Sequence, residues 1–500
     1  MTHIRISRIP AALSLLLCLT SCEWFKGGDD EKGPNYETWK SVGYFGANLM
    51  NTYYLWEEEV GADIQEWMSR RGYLDPIETV ADIRYKENGK DYDRWTEMFD
   101  DIESVEDTFQ GVSTTYGCSI VLKMWSQDQV VAVITLVYPG SPAANAGLKR
   151  GDIVFTVDGK AMNTSNYYDL VTSHFLYSPS CRIGVSRTGS DIVNEVSMTA
   201  VTMYENPVVH HDVFDINGKK VGYLFYSSFT LRSIPDLIEV FRGFKAEGVK
   251  ELIIDLRYNG GGYVTAEEVL ASMIAPAKNV SAGDIFEIST YNETLTKAYM
   301  KQYGDDALNS RFTTSFTYEE DGQKYSYSTA GLNLGISKLY AIVDSGSASA
   351  SESLLVGLMP YMDVVTIGGR THGKFCSGIT YSADDWYEEM SDYILSSIRK
   401  NAPLASGWGM YIMIGSYSDC NGDNPCRPNG LTPRYEAEDI PENGHAIGDP
   451  YEGMLRQALT LAGKTDWVRP ESTAPAVQEL PDMALQVESP VFGRRIISLK

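Results

Sequence analysis

Apolar positions along the chain follow three successive rhythms. Between residues 35 and 101, Trp39, Phe45, Met50, Tyr54, Trp56, Ile64, Trp67 and Met68 recur at mixed spacings of three and four, which predicts helices packed through aromatic side chains. Aromatics in that pattern read as core rather than as a ligand site. From 109 to about 201 the rhythm shortens to β-rich runs such as Val130-Val131-Ala132-Val133-Ile134 and Ile153-Val154-Phe155-Thr156-Val157. From 221 onward strands and helices alternate: 221–226, 251–256, 338–343 and 364–367 read as buried strands, with helices over 235–244 and 265–273. Short apolar strands with helical crossovers predict an open, mainly parallel sheet, whose ligands sit beyond the carboxyl ends of the strands.

The expected fold class is therefore a multidomain α+β and α/β chain. Its parts are a helical N-terminal segment (35–105), a β-rich domain (106–202), an α/β core with a mainly parallel sheet (203–470) and a C-terminal extension (471–500). Residues 279–336, rich in Tyr, Thr, Ser and acidic side chains, read as an insertion or flap beside the site. A length of 500 residues accommodates about three domains, and 43% hydrophobic residues suffice to fill their cores.

Ahead of these segments, Arg5 and Arg8 precede an apolar run over 11–19 and then Leu19-Thr20-Ser21-Cys22. The run is too short to span a bilayer and reads as an export signal, residues 1–21. A small residue before Cys22, with Leu19 three positions upstream, resembles the bacterial lipobox. That resemblance implies lipidation of Cys22, a membrane anchor, and a place in the cell envelope on the periplasmic side or the outer surface of the outer membrane. Residues 22–34, charged and Gly-rich, read as a flexible tether.

A formal charge of −25 excludes nucleic acid as a partner, because phosphate neutralisation needs clustered Lys and Arg. Cys420 and Cys426 bracket Asn421-Gly422-Asp423-Asn424-Pro425, a turn-rich loop of a size that a local disulfide can close. Asp419 and Asp423 read as turn residues rather than a calcium loop. No Cys/His set has zinc spacing, so no metal or other cofactor is implied.

The run Gly140-Ser141-Pro142-Ala143-Ala144-Asn145-Ala146-Gly147-Leu148-Lys149-Arg150-Gly151-Asp152 resembles a PDZ domain. Such a domain adds an extended peptide as a strand and captures its terminal carboxylate on backbone amides. The resemblance places the carboxylate loop at Gly117, Cys118, Ser119 and Ile120.

Candidate chemistry lies in three turns leaving buried strands. Ser345-Gly346-Ser347-Ala348-Ser349-Ala350-Ser351-Glu352 joins a strand to an apolar helix, a setting that exposes a hydroxyl and frees amides to donate. Gly368-Gly369-Arg370-Thr371-His372-Gly373-Lys374 and Asp255-Leu256-Arg257-Tyr258-Asn259-Gly260-Gly261-Gly262 are the other two. Together they resemble the carboxyl-terminal processing peptidases related to tricorn protease. By that resemblance Ser349 is the nucleophile and Lys374 the general base, with an oxyanion hole from the amides of Gly261 and Ala350. Ser347 and Ser351 then read as turn and cap residues, and His372 as a loop histidine. Lys374 must be desolvated to act as a base. The implied partners are proteins or peptides with free carboxyl ends. One position departs from the family: Gly378 stands where a Gln orients the lysine, which leaves open a second reading, a peptidase fold with a weakened site that captures peptides or apolar ligands.

Overall fold

The strands of the core are apolar on both faces, so they assemble into a sheet only where helices cover them. The computed structural model describes residues 32–187, 193–320, 323–465, 467, 481 and 495–496. The signal segment, Cys22, the tether up to residue 31 and nearly all of the 471–500 extension lie outside the described residues.

In the main sheet Val208–Ile216 forms an antiparallel edge against Lys219–Tyr226 (β1). Parallel strands follow: β1 pairs with Glu251–Asp255 (β2), β2 with Lys338–Val343 (β3), β3 with Asp363–Gly368 (β4), and β4 with Tyr435–Glu436. Helices Ile234–Glu247 (α1), Val264–Ile274 (α2) and Ala350–Leu358 (α3) lie in the connections between these strands. The register sets Asp255 beside Ile342 and Val343 beside Gly368, so β2, β3 and β4 end level and their outgoing loops meet.

Two layers of apolar side chains sandwich this sheet. Met454, Leu455 and Leu459 of helix Gly453–Leu461 pack with Val221, Ile253 and Ile342. On the other side one contiguous core runs through Phe241, Leu270 and Leu354 and continues into Phe45 and Trp67. The N-terminal helices Tyr36–Tyr53, Gly61–Arg70 and Pro76–Ile83 therefore share the core of the sheet. Each large apolar side chain buried there contributes about 1.5–3 kcal/mol.

A second sheet forms beside the ends of β2–β4. Cys376–Ser382 (β5) and Gly409–Ser418 (β6) pair antiparallel, and β6 also pairs with Ile285–Tyr291 and with Glu97–Phe99. Segment 279–336 thus supplies two strands to this sheet, Ile285–Tyr291 and Asn309–Arg311, and the N-terminal segment supplies another. Gly262–Tyr263 joins through Arg495–Ile496, which runs parallel to it and to β5 at Gly378.

The β-rich domain has its own core, including Leu122, Ala132, Ile134, Val154, Phe175 and Ile183. Its antiparallel sheet ends at Cys118–Met124, an outer edge whose Met124 N–H donates to Pro481 O at 2.7 Å. No helix among the described residues is long and apolar enough to cross a membrane.

The 420–426 loop, of a size that a disulfide could close, is not closed by one: Cys420 and Cys426 are both free thiols. The loop is closed by polar contacts. Asp419 Oδ1 accepts from the N–H groups of Asn421 and Asp423 at 2.8 and 3.0 Å, Asp419 N–H donates to Asp423 O, and Tyr417 Oη reaches the buried Cys426 sulfur at 3.8 Å.

Candidate active site

Three loops leave the ends of β2, β3 and β4 and are tied together by hydrogen bonds. Ala348 N–H donates to Asn259 O at 3.0 Å, and His372 N–H donates to Ser347 O at 3.0 Å. Asp344 Oδ1 accepts from the N–H groups of Tyr258 and Gly346 at 3.1 and 2.9 Å. Burial pushes the Asp344 carboxyl up to about 6.

The three serines of the β3–α3 turn separate by their partners. Ser347 Oγ donates to Leu256 O at 2.8 Å and Ser351 Oγ donates to Asn259 O at 2.9 Å, so both hydroxyls are spent on holding the turn. Ser349 Oγ is buried without a hydrogen-bond partner. Its backbone sits at φ 62°, ψ −113°, a conformation that costs a non-glycine residue about 1–3 kcal/mol and persists only where surrounding contacts enforce it.

Glu352 provides that enforcement. Its wholly buried carboxylate accepts from Ser349 N–H (3.0 Å), Lys374 N–H (2.9 Å), Gly373 N–H (2.7 Å) and the Thr371 hydroxyl. Burial raises the carboxyl's pKa, against the pull of these donors. One side chain thereby holds the serine turn and the lysine loop in fixed relation.

Lys374 is wholly buried. Its Nζ donates to Tyr411 Oη of β6 at 2.9 Å and lies 5.0 and 5.5 Å from the ring centroids of Tyr411 and Trp95. Trp95 comes from the N-terminal segment, where Asp93 Oδ1 accepts its N–H at 2.9 Å and Asp93 Oδ2 accepts from Tyr54 Oη at 2.7 Å. Because Ser349 Oγ has no partner, the serine and the lysine are not hydrogen bonded in this conformation. His372 is held neutral: burial first, then Arg94 and Lys374, lower its pKa to about 4.

The expected oxyanion donors differ from one another. Ala350 is the first residue of α3, where backbone N–H groups have no partner within the helix. Gly261 N–H, expected to face the same point, instead donates to Asn259 Oδ1 at 2.9 Å, because the asparagine side chain folds back onto its own turn. Gly262 follows at φ 137°, where a Cβ would lie 2.3 Å from Phe229 O, so only glycine lets this turn pass.

Below the Gly turn lies a second buried assembly. Arg257 donates to Asp255 (Nη2 to Oδ2, 2.8 Å), Glu452 (2.8 and 2.9 Å) and Asp439 (2.7 Å). Arg150 of the β-rich domain donates to Tyr258 Oη at 2.8 Å, to Thr135 O at 2.9 Å and to Asp439. The β-domain is thereby bonded to the residue that follows Arg257.

Gly117 precedes the β-domain's edge strand, and Cys118, Ser119 and Ile120 begin it. Gly117 has φ 69° and its carbonyl accepts from Tyr138 N–H at 2.9 Å. Glu352, Thr371, Tyr411 and Trp95 are the site residues that sequence reasoning did not single out. The signal for Glu352 was its place in the serine motif, and for Tyr411 it was the glycine at 378.

Residues 220–437 match Peptidase family S41, and residues 133–174 match a PDZ domain. A carboxyl-terminal-processing protease of Picosynechococcus sp. is 25% identical over 259 residues, covering 52% of this chain and 54% of its own. The chloroplastic C-terminal processing peptidase of Tetradesmus obliquus is 26% identical over 278 residues, covering 53% and 52%. The chain spans about half the length of these curated relatives. The crystal structure of an S41-type protein from Bacteroides fragilis superposes with a TM-score of 0.60 at 20% identity, over 89% of this chain and all of the other, which shows a common fold.

Proposed function

We propose that this chain, whose residues 220–437 belong to peptidase family S41, is a serine endopeptidase that cuts near the carboxyl ends of unfolded or tagged proteins of the cell envelope. Ser349 is the nucleophile and Lys374 the general base. The observation that carries this reading is the contrast within one turn: two serines bonded to main chain, and between them a strained one whose hydroxyl has no partner.

A lysine acts as a base only as the free amine, and removal from water is the general means of favouring that form. With the Ser349 side chain rotated toward Nζ, the amine takes the hydroxyl proton as Oγ attacks the peptide carbonyl. Ala350 N–H receives the developing oxyanion, joined by Gly261 N–H once Asn259 releases it. Lys374 then protonates the leaving amine, and water hydrolyses the acyl-enzyme with the same lysine as base.

The β-domain presents the substrate: a carboxyl end seats at Gly117, Cys118, Ser119 and Ile120, and the peptide adds to the edge strand. Two main-chain contacts support reception of extended chain, Met124 N–H with Pro481 O and Arg495–Ile496 between Gly262–Tyr263 and β5. Cys22 carries the lipid anchor. The second reading, a peptide-capturing protein without turnover, is favoured by the engagement of Gly261 N–H.

Digestion of an unfolded test protein by the chain from Glu23 onward, read by mass spectrometry, decides between them. Cleavage near carboxyl ends that Ser349→Ala and Lys374→Ala each reduce by roughly 10⁴-fold supports the peptidase. Tight binding of carboxyl-terminal peptides by a folded parent that cuts nothing supports capture.

A further inference from the structure

The reaction above assigns no task to the tyrosine that meets Lys374 from the neighbouring strand. Resting on that reading, we propose that Tyr411 is the positioning residue of the base, its phenol oxygen aiming Lys374 Nζ at Ser349 in a space that Gly378 leaves open.

Three observations converge on it. The Nζ to Oη distance is 2.9 Å and both residues are wholly buried, so the contact is made away from water, where a hydrogen bond is electrostatically stronger. The phenol ring is itself held: Phe109 packs on it edge-to-face at 5.7 Å, and β6 fixes its main chain opposite Thr380 of β5. Finally, a Cβ placed on Gly378 would lie 2.8 Å from Tyr411 Cε2, 2.4 Å from Met413 Cε and 2.7 Å from Ile412 O. Any side chain at 378 therefore competes with the tyrosine for one volume. The glycine where a lysine-orienting glutamine was expected and the tyrosine at 411 are two halves of a single arrangement. Trp95 faces the same amine, but a ring face confines it without the single direction that an oxygen acceptor imposes.

A residue that aims the base changes the rate of proton transfer and leaves substrate affinity alone. The test compares the parent with Tyr411→Phe, which deletes one oxygen, in the full chain. The readouts are kcat and KM on a peptide cut by the parent, the rate of Ser349 modification by a fluorophosphonate, and the ¹³Cε resonance of Lys374 assigned through Lys374→Arg. The expected result is a fall of about ten- to hundredfold in kcat and in modification rate, with KM unchanged and the Lys374 signal titrating at a displaced midpoint. A Phe variant that reacts as fast as the parent, with the Lys374 signal unmoved, overturns the inference. A parent that neither cuts nor reacts, while its Lys374 signal still moves in the Phe variant, overturns the peptidase reading and leaves the pairing standing. If the Phe variant does not fold, 3-fluorotyrosine at 411 keeps the shape and alters the phenol's acidity. It is expected to displace the pH dependence of modification, and an unmoved profile overturns the inference equally.

Discussion

Two buried polar assemblies sit side by side at the ends of the same three strands, and they are satisfied to opposite degrees. Around Arg257, three carboxylates and two tyrosine hydroxyls share a dense set of hydrogen bonds. Around Ser349, one carboxylate fixes the backbone on both sides while the hydroxyl at the centre is left with no partner. The first arrangement holds the loops in register, and the second stores strain and an unspent hydroxyl where a substrate atom has to arrive.

Breaking the first assembly should show its structural nature. Arg257→Met leaves Asp255 and Glu452 without their cation and Asp439 with Arg150 alone, and a loss of about 3–5 kcal/mol is expected in chemical denaturation. Ser349→Ala should stay within about 1 kcal/mol of the parent while abolishing turnover, so stability and activity respond in opposite order at the two sites. Glu352→Gln sharpens the comparison, because Glu352 belongs to both kinds. Replacing one acceptor oxygen by an NH₂ among the Ser349, Gly373 and Lys374 N–H groups should cost about 2–3 kcal/mol and lower kcat as well.

Arg150→Ala tests the bond between the β-domain and the Tyr258 turn. It should cost about 1–2 kcal/mol, read as a lower thermal midpoint, with the β-domain's own core intact.

Two buried groups also make stability depend on pH. His372, lowered to about 4 from 6.5, is neutral when folded, so stability is lost as pH falls from about 6.5 toward 4, and His372→Gln should remove that loss. Asp344, raised to about 6 from 3.8, acts the other way: its contribution is present below about 4 and lost as pH rises through 6. Asp344→Asn should flatten that limb in a denaturation series.

Much of this was legible in the sequence, and what was not has a physical cause. The strands expected at 221–226, 251–256, 338–343 and 364–367 appear at Lys219–Tyr226, Glu251–Asp255, Lys338–Val343 and Asp363–Gly368, because unbroken apolar runs between turns leave few alternatives. The serine, lysine and glycine turns stood out as small-residue turns after buried strands, and their roles came from the resemblance to the peptidase family rather than from local geometry. Tyr411 and Trp95 did not stand out, since they reach Lys374 from 37 residues beyond it (411 − 374) and 279 residues before it (374 − 95), through a sheet whose pairing no local pattern states. Whether Cys420 and Cys426 pair was open in the sequence because spacing says nothing of direction. Cys426 is buried under Tyr417, and Asp419 closes the loop. The engagement of the Gly261 amide was not legible because it depends on how a side chain two residues away folds back onto the turn.

The most direct test of the central claim is reaction of the folded chain with a fluorophosphonate, followed by peptide mapping. Modification confined to Ser349, lost in Ser349→Ala and slowed strongly in Lys374→Ala, is the expected result. Modification at Ser347 or Ser351, or none at all in a folded preparation, would contradict the account.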